Sequence, residues 1–236
     1  MRRWLAKVVE WLGGHELVVL IASTCVIAST WGFFGLAGLV TSGHSRRFDE
    51  GLLMRLRTPG HPERPIGPDW MPEVARDITA LGSTDILWLA TGAVAGFLAL
   101  DRRYWASGFV LAAVGSGWAL SFALKAAFDR PRPDLVPHLM RAYFSSFPSG
   151  HSMMAAVVYG TLGSLLSSLV TRRRLKFYFL ALAATAAGLV GLSRVYLGVH
   201  YPTDVVAGWS AGLAWSTLCW LVGRNLERRG QIESTV

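Results

Sequence analysis

Residues Leu17–Val40 read LVVLIASTCVIASTWGFFGLAGLV, 24 positions without a charged side chain. An α-helix needs about 20 apolar residues to cross the hydrocarbon of a bilayer. This run is long enough to span and too long for the core of a signal peptide. It follows a basic start at Arg2, Arg3 and Lys7, which reads as a cytoplasmic anchor rather than an export signal.

Working outward, the same pattern recurs. Ile86–Leu100 is a shorter run that extends back through Leu81 to Thr84, setting Asp85 near a membrane boundary. Tyr104–Leu124, Ser152–Thr171, Phe177–Ser193 and Val205–Gly223 follow. The expectation is an all-α, polytopic membrane bundle of about six transmembrane helices. Residues 1–236 are expected to form a single integral-membrane domain. Small residues such as Gly208 and Gly212, four apart, suit close helix contact.

Charge follows the runs. The formal net charge is +8, but the basic residues cluster at the ends of apolar runs. No soluble basic face remains to hold a duplex, so nucleic acid is excluded as a partner. Cys25 and Cys219 lie inside apolar runs and read as packing residues, not as a disulfide or metal site. The N-terminal basic residues, Arg102 with Arg103, Arg172–Arg174 with Lys176, and Arg224 with Arg228 and Arg229 all fall on one side after six crossings. Both termini are therefore expected in the cytoplasm. The opposite side receives Thr41–Thr84, Lys125–His151 and Arg194–Asp204. In the first of these, Trp70, Met71, Val74, Ile78 and Leu81 fit either an interfacial helix or a packed loop. Thr58–Pro72 holds five prolines and two glycines and is expected to be irregular.

The other two outer segments collect the unusual polar residues. Cleaving a phosphate monoester requires fixed cations and oriented N–H donors around the phosphoryl group. Lys125, Arg132 and Arg194 supply three cations at one face. Ser149–Gly150 precede an apolar helix, so backbone N–H groups and the helix dipole can face an anion. His200 offers a ring nitrogen as nucleophile, and Asp204, four residues on, can fix its tautomer if the turn is helical. His151 is a second imidazole, suited to protonating a leaving oxygen. Each group alone has a plainer reading: a hydrogen-bonded interface histidine, a headgroup anchor, a helix N-terminal carboxylate. Their conjunction at membrane depth favours function. Asp129, Arg130 and Asp134 flank these groups and read as structural salt-bridge partners.

Lys125-x6-Arg132-Pro133, Pro148-Ser149-Gly150-His151 and Ser193-Arg194-x5-His200-x3-Asp204 together resemble the three-part signature of the type 2 phosphatidic acid phosphatase (PAP2) superfamily. All three parts match in order and span about a third of the chain. The superfamily includes phosphatidylglycerolphosphate, undecaprenyl-pyrophosphate and lipid A phosphatases. The resemblance implies that His200 attacks phosphorus, that Asp204 orients it, and that His151 protonates the leaving oxygen and then activates water. It implies that Lys125, Arg132, Arg194, Ser149 and Gly150 bind the phosphoryl oxygens. It also implies no metal and no cofactor. The expected partners are a lipid phosphate or pyrophosphate substrate and membrane lipids; the oligomeric state is open. The expected place is a bacterial inner membrane, with the site on the outer face. Rival readings are a lipid phosphotransferase using the same phosphohistidine, and a transporter or flippase with a vestigial site. Transport fits less well, because transporters place ionisable groups near the midplane.

Overall fold

The computed structural model describes residues 14–140 and 145–228. The N-terminal basic residues and Arg229 lie outside the described residues. Within them all six apolar runs are helical. Helix α1 is Gly14–Thr41, α4 is Thr84–Leu100, α5 is Tyr104–Ala127, α6 is Gly150–Ser168, α7 is Arg173–Tyr196 and α8 is Pro202–Arg228. Two shorter helices, α2 (Arg46–Arg55) and α3 (Met71–Ala80), precede α4.

Among the described residues four helices are long and apolar enough to cross a membrane: Leu17–Thr41, Tyr104–Ala127, Arg173–Tyr196 and Pro202–Arg228. A fifth crossing is counted if α3 and α4, bent by 45° at their joint, act as one span. Helix α6 is not among these spans, and its position differs from theirs. It packs against α5, α7 and α8, and it buries Ser152, Met153, Met154, Ala155, Val157 and Val158. In a membrane bundle polar side chains face the protein interior rather than lipid, so a helix packed against three others can carry more of them. It also stops at Ser168, three residues before the expected end at Thr171.

The outward faces carry large apolar side chains. Trp31, Leu89, Phe97, Leu100 and Phe177 are each more than 60% exposed. Patches this extensive are ruinous in water and natural against lipid. The chain is an integral membrane protein.

Glycine lets the inner helices touch. A Cβ at Gly208 would sit 2.6 Å from Ser149 O, and one at Gly212 would strike Met153 O. The Gly208/Gly212 pair therefore brings the α8 backbone against α6. Trp209 lies across Gly191 of α7 and donates from Nε1 to Ala187 O at 3.0 Å.

The segment between α1 and α4 is more regular than its prolines suggest. Strands β1 (Arg57–Thr58) and β2 (His61–Pro65) form an antiparallel hairpin, with Thr58 opposite His61. Pro59–Gly60 makes the tight turn, Gly60 at φ +79°. Proline presets the first turn position, and glycine accepts the positive φ of the second. Residues 71–80 are a helix, not a packed loop. Its Ala75 and Thr79 are buried, whereas Trp70, Met71, Val74 and Leu81 are exposed.

Candidate active site

Lys125 lies in the last turn of α5, where Pro131 and Pro133 lie just beyond the helix end. Proline cannot continue a helix and biases the preceding residue to extended backbone. The outgoing and returning ends of the loop are tied together. Ser146 N donates to Arg130 O at 2.9 Å, and Ser145 Oγ donates to Phe128 O at 2.6 Å. Phe128 and Phe147 pack edge to face, 5.0 Å between centroids. Lys125 Nζ donates to Ser145 O at 2.9 Å. This closure lays the lysine stem across the start of α6, where a Cβ on Gly150 would lie 3.1 Å from Lys125 Cε.

Ser149 precedes α6 without a side-chain cap, so it leaves first-turn N–H groups of that helix uncapped. Its Oγ is buried 2.9 Å from Ser152 Oγ. Its N–H donates to the backbone carbonyl of Asp204 at 3.0 Å, which pins the start of α6 to the start of α8. His151 follows in the first turn, half-buried, against Gly82 at the α3–α4 joint.

Helix α7 ends at Tyr196, and Gly198 at φ +74° turns the chain toward α8. A Cβ at Gly198 would meet Val136 Cγ2 at 2.9 Å, so glycine is required by space as well as by φ. His200 is 1% exposed. It lies ahead of α8, so it and Asp204 do not share a helical face as their spacing allows. Asp204 is instead held by the helix start. Its Oδ2 accepts Tyr201 N at 2.9 Å, reaching back as the acid of a capping box does. Ser146 Oγ donates to the same oxygen. His200 Nδ1 stands 3.5 Å from Asp204 Oδ2.

The other face of the ring settles the tautomer. Arg132 Nη1 is 3.2 Å from His200 Nε2 and 2.7 Å from Val199 O. A guanidinium has donors only, so Nε2 must present its lone pair and Nδ1 carries the proton, facing Asp204. Burial pushes the His200 pKa down to about 3, with Arg194 and Arg132 adding to the fall and Asp204 opposing it. The imidazole is neutral at physiological pH.

Arg194 is buried on α7. Its Nη1 meets only Thr79 Oγ1 at 3.3 Å and Met140 Sδ at 2.7 Å, and its Nε has no partner. No carboxylate pairs with it among the described residues. A buried guanidinium so poorly matched is a standing demand for an anion. His151 is near enough to Arg194, Lys125 and Arg132 to feel each charge. The structure thus gathers Lys125, Arg132, Ser149, Gly150, His151, Arg194, His200 and Asp204 at one end of the bundle.

Some participants had no signal in the sequence. Arg130 does form ion pairs, but on Asp204 itself, and its second partner is Asp49 of α2 at 2.7 Å. Burial works against the charge of Arg130, but Asp204 and Asp49 outweigh it and raise the pKa. Asp49 lies outside all three parts of the signature. Ser146 has no regular motif around it.

A membrane helical bundle, with a buried histidine–carboxylate pair among several cations at one end, belongs to the class of phosphate-handling membrane enzymes. The chain belongs to the PAP2 superfamily, whose sequence model matches residues 103–228. It is 39% identical over 149 residues to phosphatidylglycerophosphatase B of Bacillus subtilis, covering 63% of this chain and 73% of that one. It is 27% identical over 187 residues to a lipid A 1-phosphatase of Rhizobium etli, covering 68% and 76%. The crystal structure of a transmembrane PAP2-type phosphatidylglycerolphosphate phosphatase from Bacillus subtilis superposes with a TM-score of 0.78 at 31% identity, covering 86% of this chain and 98% of that one. The protein is a PAP2-type phosphatase.

Proposed function

We propose that this protein hydrolyses a lipid phosphate or pyrophosphate through a phosphohistidine, without a metal ion, at the outer face of a bacterial inner membrane. The observation that carries the reading is the neutral His200, its Nε2 lone pair turned toward Arg132 and its Nδ1 toward Asp204.

In the first step the phosphoryl oxygens take the donors of Lys125, Arg132 and Arg194, with the Ser149 hydroxyl and the first N–H groups of α6 from Gly150. Arg132 exchanges its contact with Nε2 for one with the substrate, which bares the lone pair. Nε2 attacks phosphorus, the bond to the leaving oxygen breaks, and His151, protonated when the phosphoryl group binds, gives that oxygen its proton and becomes neutral. The N–P bond leaves the ring cationic, with its Nδ1 proton held toward Asp204. In the second step neutral His151 takes a proton from water. The hydroxide attacks phosphorus, the N–P bond breaks, and phosphate leaves with His200 neutral again. Three cations supply the charge that an ion would. Among the described residues no three His, Cys, Asp or Glu side chains gather as metal ligands.

Six crossings, with both termini cytoplasmic, fit the order of charges. Arg103 and Lys125 bracket α5, Arg173 and Arg194 bracket α7, and Asp204 and Arg228 bracket α8. Each helix thus has one end at the site and its other end in a basic cluster, which favours the cytoplasm. Residues 1–236 then form one membrane domain. The activities of the relatives, a phosphatidylglycerophosphatase and a lipid A 1-phosphatase, support phosphatidylglycerol phosphate and lipid A phosphate as substrate classes.

The test is phosphate release by detergent-purified protein in EDTA, from phosphatidylglycerol phosphate, phosphatidic acid, undecaprenyl pyrophosphate and lipid A. Release that His200→Ala abolishes is expected. Equal release by both proteins would exclude His200 as the nucleophile, and release that requires added Mg²⁺ would exclude the metal-free chemistry.

A further inference from the structure

The charge beside His200 is set from outside the signature. Arg130 holds its guanidinium between two carboxylates: Nη1 donates to Asp204 Oδ1, and Nη2 donates to Asp49 Oδ2 at 2.7 Å. Asp49 is wholly buried on α2. It also accepts Thr203 N at 3.0 Å and Thr203 Oγ1 at 2.7 Å, so both of its oxygens are engaged. Arg130 stacks over Tyr201, 4.3 Å from the ring centroid, which fixes the fork from above.

The balance of this group has a chemical meaning. Two carboxylates and one guanidinium leave one negative charge next to a neutral ring. Without Asp49, Arg130 would cancel Asp204, and His200 would face a neutral pair. Nothing would then favour the cationic ring that a phosphohistidine carries. Without Arg130, two buried carboxylates would repel each other, and Asp204 would lose the contact that orients its Oδ1. Breaking a buried ion pair by removing one partner is costly, whereas removing both is often tolerated.

We infer that Asp49 and Arg130 are positioning residues for this reaction: Arg130 orients Asp204, and Asp49 restores the negative charge that Arg130 would otherwise cancel. The inference rests on the reading of His200 as nucleophile. It gives α2 a task that its sequence did not suggest. The helix exposes Phe48, Leu52 and Met54 outward and inserts one carboxylate inward to the site.

A double-mutant cycle in the full-length, detergent-purified protein tests it, with phosphatidylglycerol phosphate in mixed micelles as the probe. Asp49→Asn makes the group neutral, Arg130→Gln makes it doubly negative, and the double variant returns it to one negative charge. Each single variant is expected to lower kcat about tenfold, the scale of coupling within one charge network, with KM nearly unchanged. The double variant is expected to exceed both singles in kcat. Thermal unfolding of each variant separates loss of fold from loss of rate. An unchanged kcat in Asp49→Asn overturns the inference, as does a folded double variant no faster than the poorer single. Should Asp49→Asn fail to fold, the double variant alone decides: folded and active supports the charge balance, folded and inactive overturns it. His200→Ala separates the two readings. Activity retained there removes the nucleophile assignment, whereas an additive cycle with an inactive His200→Ala removes only the role of Asp49 and Arg130.

Discussion

Gly208 is where the two helices that carry the site meet, and Gly208→Ala probes that contact directly. The new Cβ would lie 2.6 Å from Ser149 O and 3.1 Å from both Met153 N and Ser152 Cβ. A carbon–oxygen contact relaxes at about 3.3 Å, so α8 must retreat by roughly 0.7 Å. The nearest obstacles are backbone atoms of α6, so no flexible side chain can swing aside to make room. The retreat stretches the bond from Ser149 N to Asp204 O, now 3.0 Å. Overpacking costs about 1–3 kcal/mol and the lost hydrogen bond about 1 kcal/mol. A loss of about 2–4 kcal/mol is expected, read as a fall in Tm of at least about 5 °C. The same shift moves His200 and Asp204 away from Gly150 and His151. A misplacement of about 1 Å costs up to about a hundredfold, so kcat should fall by about 10–100-fold. The assay is thermal unfolding in detergent together with phosphate release. Gly115→Ala on α5, where a Cβ meets nothing within 4 Å, is the control and should lose neither. Wild-type Tm and kcat in Gly208→Ala would refute the reasoning, as would equal losses in the control.

Three further outcomes are expected. His200 is buried with a pKa of about 3, below its unfolded value of about 6.5. Between those values the unfolded chain binds the extra proton, so stability should fall as pH drops from about 6.5 toward 3, by at most about 1.4 kcal/mol per unit. Tm measured across that window should show the slope, and His200→Gln should flatten it; an equal slope in both proteins would assign it elsewhere. His151→Gln, given an aryl phosphate whose leaving group needs no proton, should complete the first step and stall in the second. Acid-labile, alkali-stable phosphoenzyme should then accumulate, and none should form with His200→Ala. Arg194→Lys keeps the charge but loses the planar fork, so kcat/KM should fall about 10²–10³-fold; a loss under threefold would remove Arg194 from the phosphate.

The helices were legible because apolar runs of spanning length have few alternatives to a membrane helix. The signature was legible because its charged groups stand at the ends of those runs. The limits are equally physical. Helix α6 is too polar to pass as a span by composition, because its environment is protein rather than lipid. Helix α2 reads RRFDEGLLMR, and neither its charges nor its length stand out from a loop. Asp49 meets Thr203 across 154 residues, a contact that no local pattern encodes. His200 and Asp204 have helical spacing, yet it is the turn at Gly198 and the cap at Tyr201 that bring them together. The spacing was informative and the geometry it suggested was not the one used.

The charges of the site explain why so costly an arrangement persists at membrane depth. Lys125, Arg130, Arg132 and Arg194 are set against Asp49 and Asp204, with both histidines neutral. Two positive charges remain, and they match a phosphate dianion. Arg130 is paired with two carboxylates, whereas Arg194 and Lys125 have none. The pairing therefore divides the site in two. One part is internally balanced to leave a single negative charge beside His200, where positive charge would develop in the proposed phosphohistidine. The other is left positive where the phosphoryl oxygens would sit. Buried charge without a partner destabilises a fold, and ionisable groups in a bilayer raise that cost. A bound phosphoryl group would lower it, so binding of the group offsets the cost of holding these cations buried.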